Sequence, residues 1–419
     1  MNRPRISAAD TARPRDIRIG IFGNSNNYPF LLATGFRALG VDVSLVLSSK
    51  DPLNRPVHRW HYLWREYPRW VLDGALVEED IYLRSEARAE AFFRGAFHDV
   101  DAVLLNHFGP ACAHWLKVPH LALLTGSDLT YYGNPVIVDV RESSWSPEFR
   151  SSEQGLADRA VWLSSVQRQR AGIRNAAAVS FATKGLVPEG DAMLEEIGVP
   201  EDRRFFVFMA DTLTLKYSPP RGNTELRILN GARINWCRPL PPGFVSQDDK
   251  GTDILVRGFA QFLGSGGRGT LVLVRKGLHV NETKMLADEL GIGSAIEWHD
   301  EMPLDDLHAQ MRRADVVCDQ FGTSFPAMVA NDAMALGRPV LANFRLESPR
   351  KGFSGDLPAC NATSPEEVCA QLHRLQTSPT LRFDLGKRAR RFAEKFLSPE
   401  ANARKCLEHL GLAADAEKA

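Results

Sequence analysis

The chain has 419 residues, with 51 basic and 51 acidic side chains and a formal net charge of +0; 44% of the residues are hydrophobic and 24% are charged. This composition excludes a disordered chain, which would bury too little apolar surface to offset its conformational entropy. Zero net charge argues against a generally basic nucleic-acid-binding protein, because neutralising phosphates requires a surplus of Lys and Arg. At about 150 residues per domain, the length predicts two or three domains.

The sequence favours a cytoplasmic protein. Residues 1–16 are polar and lack the apolar core of a secretory signal. No run approaches the roughly 18 apolar residues of a spanning helix. The six cysteines form no C-x-x-C pair, which is typical of reduced thiols rather than of a disulfide scaffold. We expect residues 1–16 to be a flexible tail.

The first half of the chain reads as a doubly wound parallel sheet. A strand over 17–22, a polar Gly loop, a helix over 30–39 and a strand over 41–47 form a βαβ unit. Similar apolar runs, suited to strands covered by helices on both faces, recur at 102–105, 121–124, 177–181 and 205–209.

A Pro-Pro and Gly-Asn segment at 211–224 predicts a linker, and the alternation then restarts. Further strands are predicted over 226–230, 270–275, 295–298, 314–318 and 339–343, and helices over 252–263, 282–290, 304–313, 325–336 and within 365–411. The predicted fold class is α/β, with two Rossmann-like domains facing each other across a cleft. The boundaries are 17–215 for the first domain, 216–396 for the second, and 397–419 for a C-terminal helix that is a candidate to cross back.

One apparent nucleotide motif is misleading. Residues 264–269 read G-S-G-G-R-G and match G-x-G-x-x-G. A dinucleotide loop must leave a strand and open a helix, so that N–H groups at the helix N-terminus meet the pyrophosphate. Here a helix precedes the motif and a strand follows it, so we predict a surface turn.

The second domain carries a candidate diphosphate site. Arg233 and Lys250 flank the loop between its first strand and first helix, and residues 319–324 follow a strand and open a helix. Two cations, two hydroxyls and a helix N-terminus at one sheet edge favour a bound diphosphate, although each cation in isolation is more often a solvated loop charge. Asp332 lies in the same helix.

The order of several segments resembles the GT-B glycosyltransferases, closest to the large retaining family 4. The segments are NHFG at 106–109, VPHLALLTGSDL at 118–129, KGTDILVRGF at 250–259, EWHDEMP at 297–303, ADVVCDQF at 314–321 and NDAMALGRPV at 331–340. The resemblance implies that the second domain binds a nucleotide sugar and the first domain binds the acceptor.

The resemblance also implies roles for the donor side. Arg233 and Lys250 grip the diphosphate and balance charge on the leaving group, and Asp332 stands where the family has the second Glu of E-x7-E, which bonds the ribose. The first Glu of that motif falls on Ser324. The implied donor-binding set is Arg233, Lys250, Gly322, Thr323, Ser324 and Asp332.

On the acceptor side, Asp128 matches the acid of the family's H-G-S-D segment, whose His falls on Thr125. Asp128 is implied to orient the acceptor or bond the sugar, and joins Arg233 and Lys250 as a catalytic candidate. The loop at 23–27 either closes on a ligand or simply turns the chain. The implied acceptor-binding set is Gly23, Asn24, His107 and Asp128.

The expected reaction is retaining sugar transfer to a glycan, lipid-linked or small-molecule hydroxyl. The protein supplies positive charge and orientation and needs no nucleophile of its own. We predict no metal and no cofactor besides the donor, since no metal-ligand cluster is visible. If the enzyme inverts instead, Asp128 or His107 serves as general base.

Residues 55–70 are densely aromatic and basic. Such a segment either packs beside the acceptor or docks a membrane surface or lipid-linked acceptor. Two other functions stay open: a sugar-nucleotide epimerase on the same fold, and a non-catalytic nucleotide-sugar binder. The base, the sugar, the acceptor and the oligomeric state are not predicted.

Overall fold

The computed structural model describes residues 17–59, 67–74, 84–241, 244, 246–323, 327–344 and 357–413. The predicted tail, Ser324 and the centre of the 55–70 segment lie outside these ranges. Within them, no helix combines the length and the apolar character needed to cross a bilayer.

The first domain is built on a parallel sheet of seven strands in the order β3-β2-β1-β4-β5-β6-β7. Its central strands are almost wholly buried because helices cover both faces. The strands are β1 (Arg18–Phe22), β2 (Asp42–Leu47), β3 (Val71–Asp73), β4 (Ala102–Leu105), β5 (His120–Leu123), β6 (Ala178–Ser180) and β7 (Arg204–Phe205). The helices are α1 (Tyr28–Ala38), α2 (Pro56–Arg59), α3 (Glu86–Ala96), α4 (Ser127–Thr130), α5 (Val136–Ser143), α6 (Pro147–Ser151), α7 (Glu153–Arg174) and α8 (Pro188–Ile197).

The second domain has a parallel sheet of six strands in the order β10-β9-β8-β11-β12-β13. Its strands are β8 (Leu226–Asn230), β9 (Gly269–Arg275), β10 (Ile296–Asp300), β11 (Val316–Cys318), β12 (Val340–Ala342) and β13 (Cys360–Asn361). The helices that follow are α9 (Thr252–Gly264), α10 (Val280–Glu289), α11 (Leu304–Arg313), α12 (Met328–Leu336), α13 (Pro365–Thr377), α14 (Pro379–Phe392) and α15 (Pro399–His409).

The last helix, α15, packs on the first domain. Ala403, Cys406 and Leu407 of α15 are buried in the same core as β1, β2 and α1. The approach is close, because a Cβ on Gly35 of α1 would lie 2.2 Å from the carbonyl oxygen of Pro399. The helix α15, which follows the second domain in the chain, thus completes the hydrophobic core of the first domain.

Hydrogen bonds among the described residues join the domains directly. Glu189 of α8 accepts hydrogen bonds from Ser246, at 3.1 Å from its backbone N and 2.9 Å from its Oγ. Asn331 of α12 donates from Nδ2 to the carbonyl oxygen of Met209, in the crossing segment, at 2.9 Å. The two domains are therefore linked by direct hydrogen bonds.

The α/β prediction is confirmed, and most predicted strands lie within two residues of the observed ones. Residues 264–269 form a turn between α9 and β9, as predicted. The strand predicted over 205–209 is wrong beyond Phe205. There, Phe208 N donates to Asn402 Oδ1 and Met209 N donates to the Tyr28 hydroxyl, so side chains replace the strand ladder. Strands β3 and β13 were not predicted.

Candidate functional site

Two loops of the second domain meet at the carboxyl ends of β8 and β11. Phe321 N donates to the carbonyl oxygen of Lys250 at 2.8 Å. Gly251 has φ +58°, and a Cβ there would lie 2.3 Å from Gly322 N; a Cβ on Gly322 would lie 2.5 Å from Asp249 Oδ1. Only glycine permits this approach at both positions. The two predicted donor segments are thus in direct backbone contact.

Arg233 lies close enough to Lys250 to affect the pKa of Lys250. Burial lowers the pKa of Lys250, the carboxyl groups of Asp319 and Asp248 oppose this shift, and the positive charge of Arg233 adds to it. The Lys250 ammonium donates to Gln320 Oε1 at 2.8 Å, whereas Arg233 is exposed. A half-buried cation beside an exposed one suits a bound anion.

The hydroxyl of Thr323 extends this group. Thr323 Oγ1 is buried and has no hydrogen-bond partner among the residues that the structure describes. A buried hydroxyl without a partner costs about 1–3 kcal/mol, which a bound ligand would offset. The neighbouring Ser324 lies outside the described ranges.

The N-terminus of α12 differs from the expectation of free N–H groups. Asp319 Oδ2 accepts from Ala327 N at 2.8 Å and from Ala330 N at 3.3 Å. Burial raises the pKa of Asp319 to about 6, against the lowering effects of these bonds and of Lys250. Two of the expected N–H groups are therefore already occupied, which is a correction to the sequence-based site.

Asp332 makes a contact that the sequence did not suggest. Its Oδ2 lies 2.9 Å from His308 Nε2 of α11, and the side chains of His308 and Asp332 are only 4% and 2% exposed. The carboxyl group thus lies between two helices. The predicted ribose contact of Asp332 stays a prediction, and its present environment favours a structural role.

A cavity of about 450 Å³ lies between the domains. Its wall is mostly apolar and comes from both sides of the cleft. The first domain contributes Tyr28, Leu124, Phe181, Val187, Phe206 and Phe208, and the second contributes Met302, Leu304, Leu307, Ala327, Met328 and Asn331. Lys276 and Glu301, an ion pair, add charge to the wall.

In the first domain, Asn106 ties together the loops after β1, β4 and β5. It accepts from Ser25 N at 2.8 Å and donates to Asp128 Oδ2 at 2.9 Å and to the Leu123 carbonyl at 2.8 Å. The sequence analysis included Asn106 only within the NHFG segment at 106–109 and gave it no role of its own. Asn106 directly follows the buried strand β4. A polar residue at the carboxyl end of a parallel strand indicates a possible site residue, and this signal was present in the sequence.

Asp128 is wholly buried and faces its own loop. It accepts from the backbone N of Thr125 and of Gly126 at 2.8 Å, besides its bond from Asn106. Burial raises the pKa of Asp128 to about 6, although the bonds from Thr125 and Gly126 lower it. Asp128 therefore holds the loop that carries Thr125, and Thr125 lines the cavity. Direct contact of Asp128 with a ligand stays a prediction.

His107 follows β4 with a left-handed backbone, φ +61°. Its ring lies 4.7 Å from the ring of Tyr132, and Nδ1 is 3.4 Å from Ser48 Oγ. Burial lowers the pKa of His107 to about 4, despite the opposing charge of Asp51. The imidazole is therefore neutral at physiological pH.

The loop after β1 is held by its own side chains. Gly23 has φ +87°, and a Cβ there would lie 2.6 Å from the Asn106 carbonyl oxygen. Asn24 is 1% exposed; it donates to Asn27 Oδ1 and accepts from Phe30 N, both at 2.8 Å. The structure brings Gly23, Asn24, His107 and Asp128 to one sheet edge, but Asn24 turns inward, and Asn26 and Asn27 line the cavity instead.

The described ends of the 55–70 segment pack against the protein. Arg55 forms an ion pair with Asp73. The Trp70 ring stacks on the Phe30 ring, with the ring centroids 5.6 Å apart. The guanidinium of Arg37 also lies over the Trp70 ring, 5.2 Å from its centroid. Membrane contact through this segment stays a prediction.

In the described ranges, no group of three or more His, Cys, Asp or Glu side chains is arranged to hold an ion. Metal independence also stays a prediction.

No protein-family model matches the chain, and no curated protein is similar to it. Solved structures are similar. Anabaena Alr3699/HepE, in complex with UDP and glucose, has a TM-score of 0.58 and 15% identity over 94% of this chain and 99% of that chain. Sucrose-phosphate synthase of Thermosynechococcus elongatus has a TM-score of 0.56 and 16% identity over 95% of this chain and 100% of that chain.

A third similar structure is named for a different enzymatic activity. The putative UDP-N-acetylglucosamine 2-epimerase of Listeria monocytogenes has a TM-score of 0.52 and 14% identity over 93% of this chain and 95% of that chain. At these identities the likeness shows the fold alone. The chain has the GT-B fold, with two α/β domains facing across a cleft.

Proposed function

We propose that this protein is a glycosyltransferase that moves a sugar from a nucleotide-diphosphate sugar to an acceptor hydroxyl. The observation that carries the proposal is the group formed by Arg233, Lys250, Gly322 and Thr323 where the loops after β8 and β11 touch. It offers two cations and a buried hydroxyl without a described partner to a single anion.

The two cations of this group, Arg233 and Lys250, are suited to stabilise the diphosphate as it leaves the sugar. Charge accumulates on the diphosphate as its bond to the sugar breaks, and fixed positive groups beside it stabilise that charge. Lys250 is half-buried and its ammonium donates to Gln320, so little reorganisation accompanies the step. This supports transfer without a metal ion.

We propose a retaining outcome, with the chemistry of family 4. The acceptor then attacks from the face that the diphosphate leaves, and orientation replaces a protein nucleophile. Asp128 positions the Thr125 loop at the cavity. His107 is neutral because burial lowers its pKa to about 4, and this low pKa makes it a weak general base for an inverting reaction.

Donor screening tests the proposal. Thermal shifts with nucleotide diphosphates and their sugars identify the base, and release of the free diphosphate in the presence of an acceptor panel reports turnover. We expect Lys250→Gln to abolish release and Lys184→Gln to leave it unchanged, since Lys184 is exposed and paired with Glu195. Turnover that persists in Lys250→Gln would contradict the assignment, and EDTA should leave wild-type turnover unchanged.

The epimerase alternative is kept because the Listeria protein shares the fold. An epimerase exchanges the hydrogen at C2 of the sugar with solvent, whereas a transferase does not. Incubation of the donor in heavy water without an acceptor separates the two. A non-catalytic binder would be stabilised by the donor and show neither reaction.

A further inference from the structure

The segment between β8 and α9, residues 231–251, is fastened to the loop after β9; we call this segment the cation loop. Ile234 donates from its backbone N to the carbonyl oxygen of Lys276 at 2.6 Å, and its own carbonyl oxygen accepts from His279 N at 3.0 Å. The approach is close, because Gly277 has φ +121° and a Cβ there would lie 2.6 Å from Ile234 N. Backbone hydrogen bonds thus hold the cation loop against the neighbouring loop.

Both proposed donor cations stand beside this contact. Arg233 directly precedes Ile234 in the chain. Lys250 N donates to the carbonyl oxygen of Asn235 at 2.7 Å, and the buried Asn235 side chain accepts from Leu278 N, at 3.0 Å from Oδ1. Asn235 therefore ties the backbone at Lys250 to the same neighbouring loop that holds the backbone beside Arg233.

The imidazole of His279 adds a fixing point that depends on a side chain. Its Nδ1 lies 3.0 Å from Trp236 N and 3.3 Å from Cys237 N. A backbone N–H can only donate, so Nδ1 is the acceptor of both bonds and carries no proton. Turning the ring over would place a carbon atom where the two N–H groups point. His279 thus receives two hydrogen bonds from the cation loop.

The end of α10 gives the imidazole a fixed base. His279 directly precedes Val280, the first residue of α10, and its carbonyl oxygen accepts from Thr283 N at 3.1 Å. Its side chain accepts no bond from the described first turn of α10, so the ring serves the cation loop instead of its own helix. The indole Nε1 of Trp236 donates to Thr283 Oγ1 at 2.8 Å, which holds the Trp236 side chain on the same turn.

We propose that His279 is a positioning residue for the diphosphate site: its unprotonated Nδ1 holds the cation loop in the shape that presents Arg233 and Lys250 before the nucleotide binds. The inference rests on the proposed function. A loop that is already ordered loses less conformational entropy on binding, and charges that are already placed need less reorganisation. Removal of this acceptor therefore weakens the binding of a diphosphate although both cations are still present.

Two substitutions that differ in one acceptor test this. Asparagine carries Oδ1 on Cγ as histidine carries Nδ1, so His279→Asn keeps the acceptor and His279→Leu removes it. In isothermal titration we expect His279→Leu to bind a nucleoside diphosphate about 5- to 30-fold more weakly than wild type, because two hydrogen bonds that order the loop are lost. His279→Asn and the control His98→Leu, at an exposed position of the first domain, should stay within about threefold of wild type.

The nucleoside monophosphate separates positioning from general destabilisation. It lacks the β-phosphate that the two cations are proposed to hold, so His279→Leu should bind it within about threefold of wild type. Amide hydrogen exchange reports the loop directly: the N–H groups of Trp236 and Cys237 should exchange faster in His279→Leu than in wild type or His279→Asn. Loss of affinity for both nucleotides by the same factor would overturn the inference.

A second variant without the acceptor covers the case in which leucine is not tolerated. His279→Phe keeps a ring of similar shape and places a carbon at the position of Nδ1, so it should behave like His279→Leu. Circular dichroism and thermal unfolding establish which variants are folded at the temperature of the titration. A folded His279→Phe or His279→Leu that binds the diphosphate like wild type would overturn the inference, as would a folded His279→Asn that binds it equally weakly.

Lys250→Gln, titrated in parallel, separates failure of the inference from failure of the proposed function. If Lys250→Gln binds the diphosphate weakly while the variants of His279 without an acceptor bind it like wild type, the inference fails and the diphosphate site stands. If Lys250→Gln itself binds the diphosphate like wild type, the proposed diphosphate site fails, and the inference fails with it.

Discussion

His308 and Asp332 join two helices that both line the cavity. The imidazole Nε2 lies 2.9 Å from the carboxyl Oδ2, and both side chains are almost fully buried. Through this bond α11, which carries Leu304 and Leu307, is fixed against α12, which carries Asn331. The pair thus sets the spacing of one wall of the cleft.

Asp332→Ala should lower the free energy of unfolding by about 1–3 kcal/mol, because it leaves the buried His308 without this partner. His308→Ala should cost a similar amount, and the double variant should cost less than the sum, as for any directly coupled pair. Urea unfolding of the three variants measures this.

Nucleotide titration of the same variants distinguishes this role from the ribose contact. A positioning role affects the affinity in both single variants alike. A drop of roughly 10- to 100-fold in Asp332→Ala alone, with His308→Ala unaffected, would instead establish the direct contact implied by the family resemblance.

Gly322→Ala should disrupt the contact between the two donor loops. Its Cβ would lie 2.5 Å from Asp249 Oδ1 and 2.7 Å from the Asp249 carbonyl oxygen, and overpacking of this kind costs about 1–3 kcal/mol. We expect a lower melting temperature together with weaker nucleotide binding.

Gly264→Ala is the matched control for this substitution. Gly264 ends α9 and has no atom within 4 Å of an added Cβ, so alanine should be neutral or slightly stabilising. Equal behaviour of the two variants in thermal unfolding and in nucleotide titration would contradict the close packing at Gly322.

His107→Asn should change how stability depends on pH. Burial lowers the pKa of His107 to about 4, below its usual 6.5. Between these values the unfolded chain takes up a proton that the folded chain does not, so this group's contribution is present above pH 6.5 and is lost as pH falls toward 4. The loss amounts to at most about 3 kcal/mol.

Asparagine is a suitable replacement because it tolerates the φ of +61° at this position. Urea unfolding of wild type and His107→Asn at pH 7 and pH 5 provides the comparison. Wild type should lose more stability than the variant on acidification. Parallel losses in the two proteins would show that His107 titrates normally.

The continuous apolar strands were predictable because burial on both faces leaves a strong signal in sequence; Ala102–Leu105 and Leu226–Asn230 match their predictions at both ends. The segment at 206–209 carries the same signal but is not a strand. Its backbone bonds to Tyr28 and Asn402, which lie about 180 or more residues away in the chain. No local pattern reveals partners at that separation.

The candidate site was predictable in part because its residues follow strands that the sequence predicts. Arg233, Lys250 and Gly322 follow strands, and the order of strands in a parallel sheet brings their loops together. Which face of α12 meets the cavity depends on how the helix is rotated by its packing. The sequence singled out Asp332, whereas the cavity is lined by Asn331.

The central claim is that Arg233 and Lys250 hold the diphosphate of a nucleotide sugar. Isothermal titration of wild type, Arg233→Gln, Lys250→Gln and the control Lys184→Gln with a nucleoside diphosphate and its monophosphate tests it most directly. Hydrogen bonds to charged groups contribute about 1.5–3 kcal/mol, so wild type and the control should bind the diphosphate at least about tenfold more tightly, and either site variant should lose most of that difference. Equal affinity of wild type for the two nucleotides would contradict the claim.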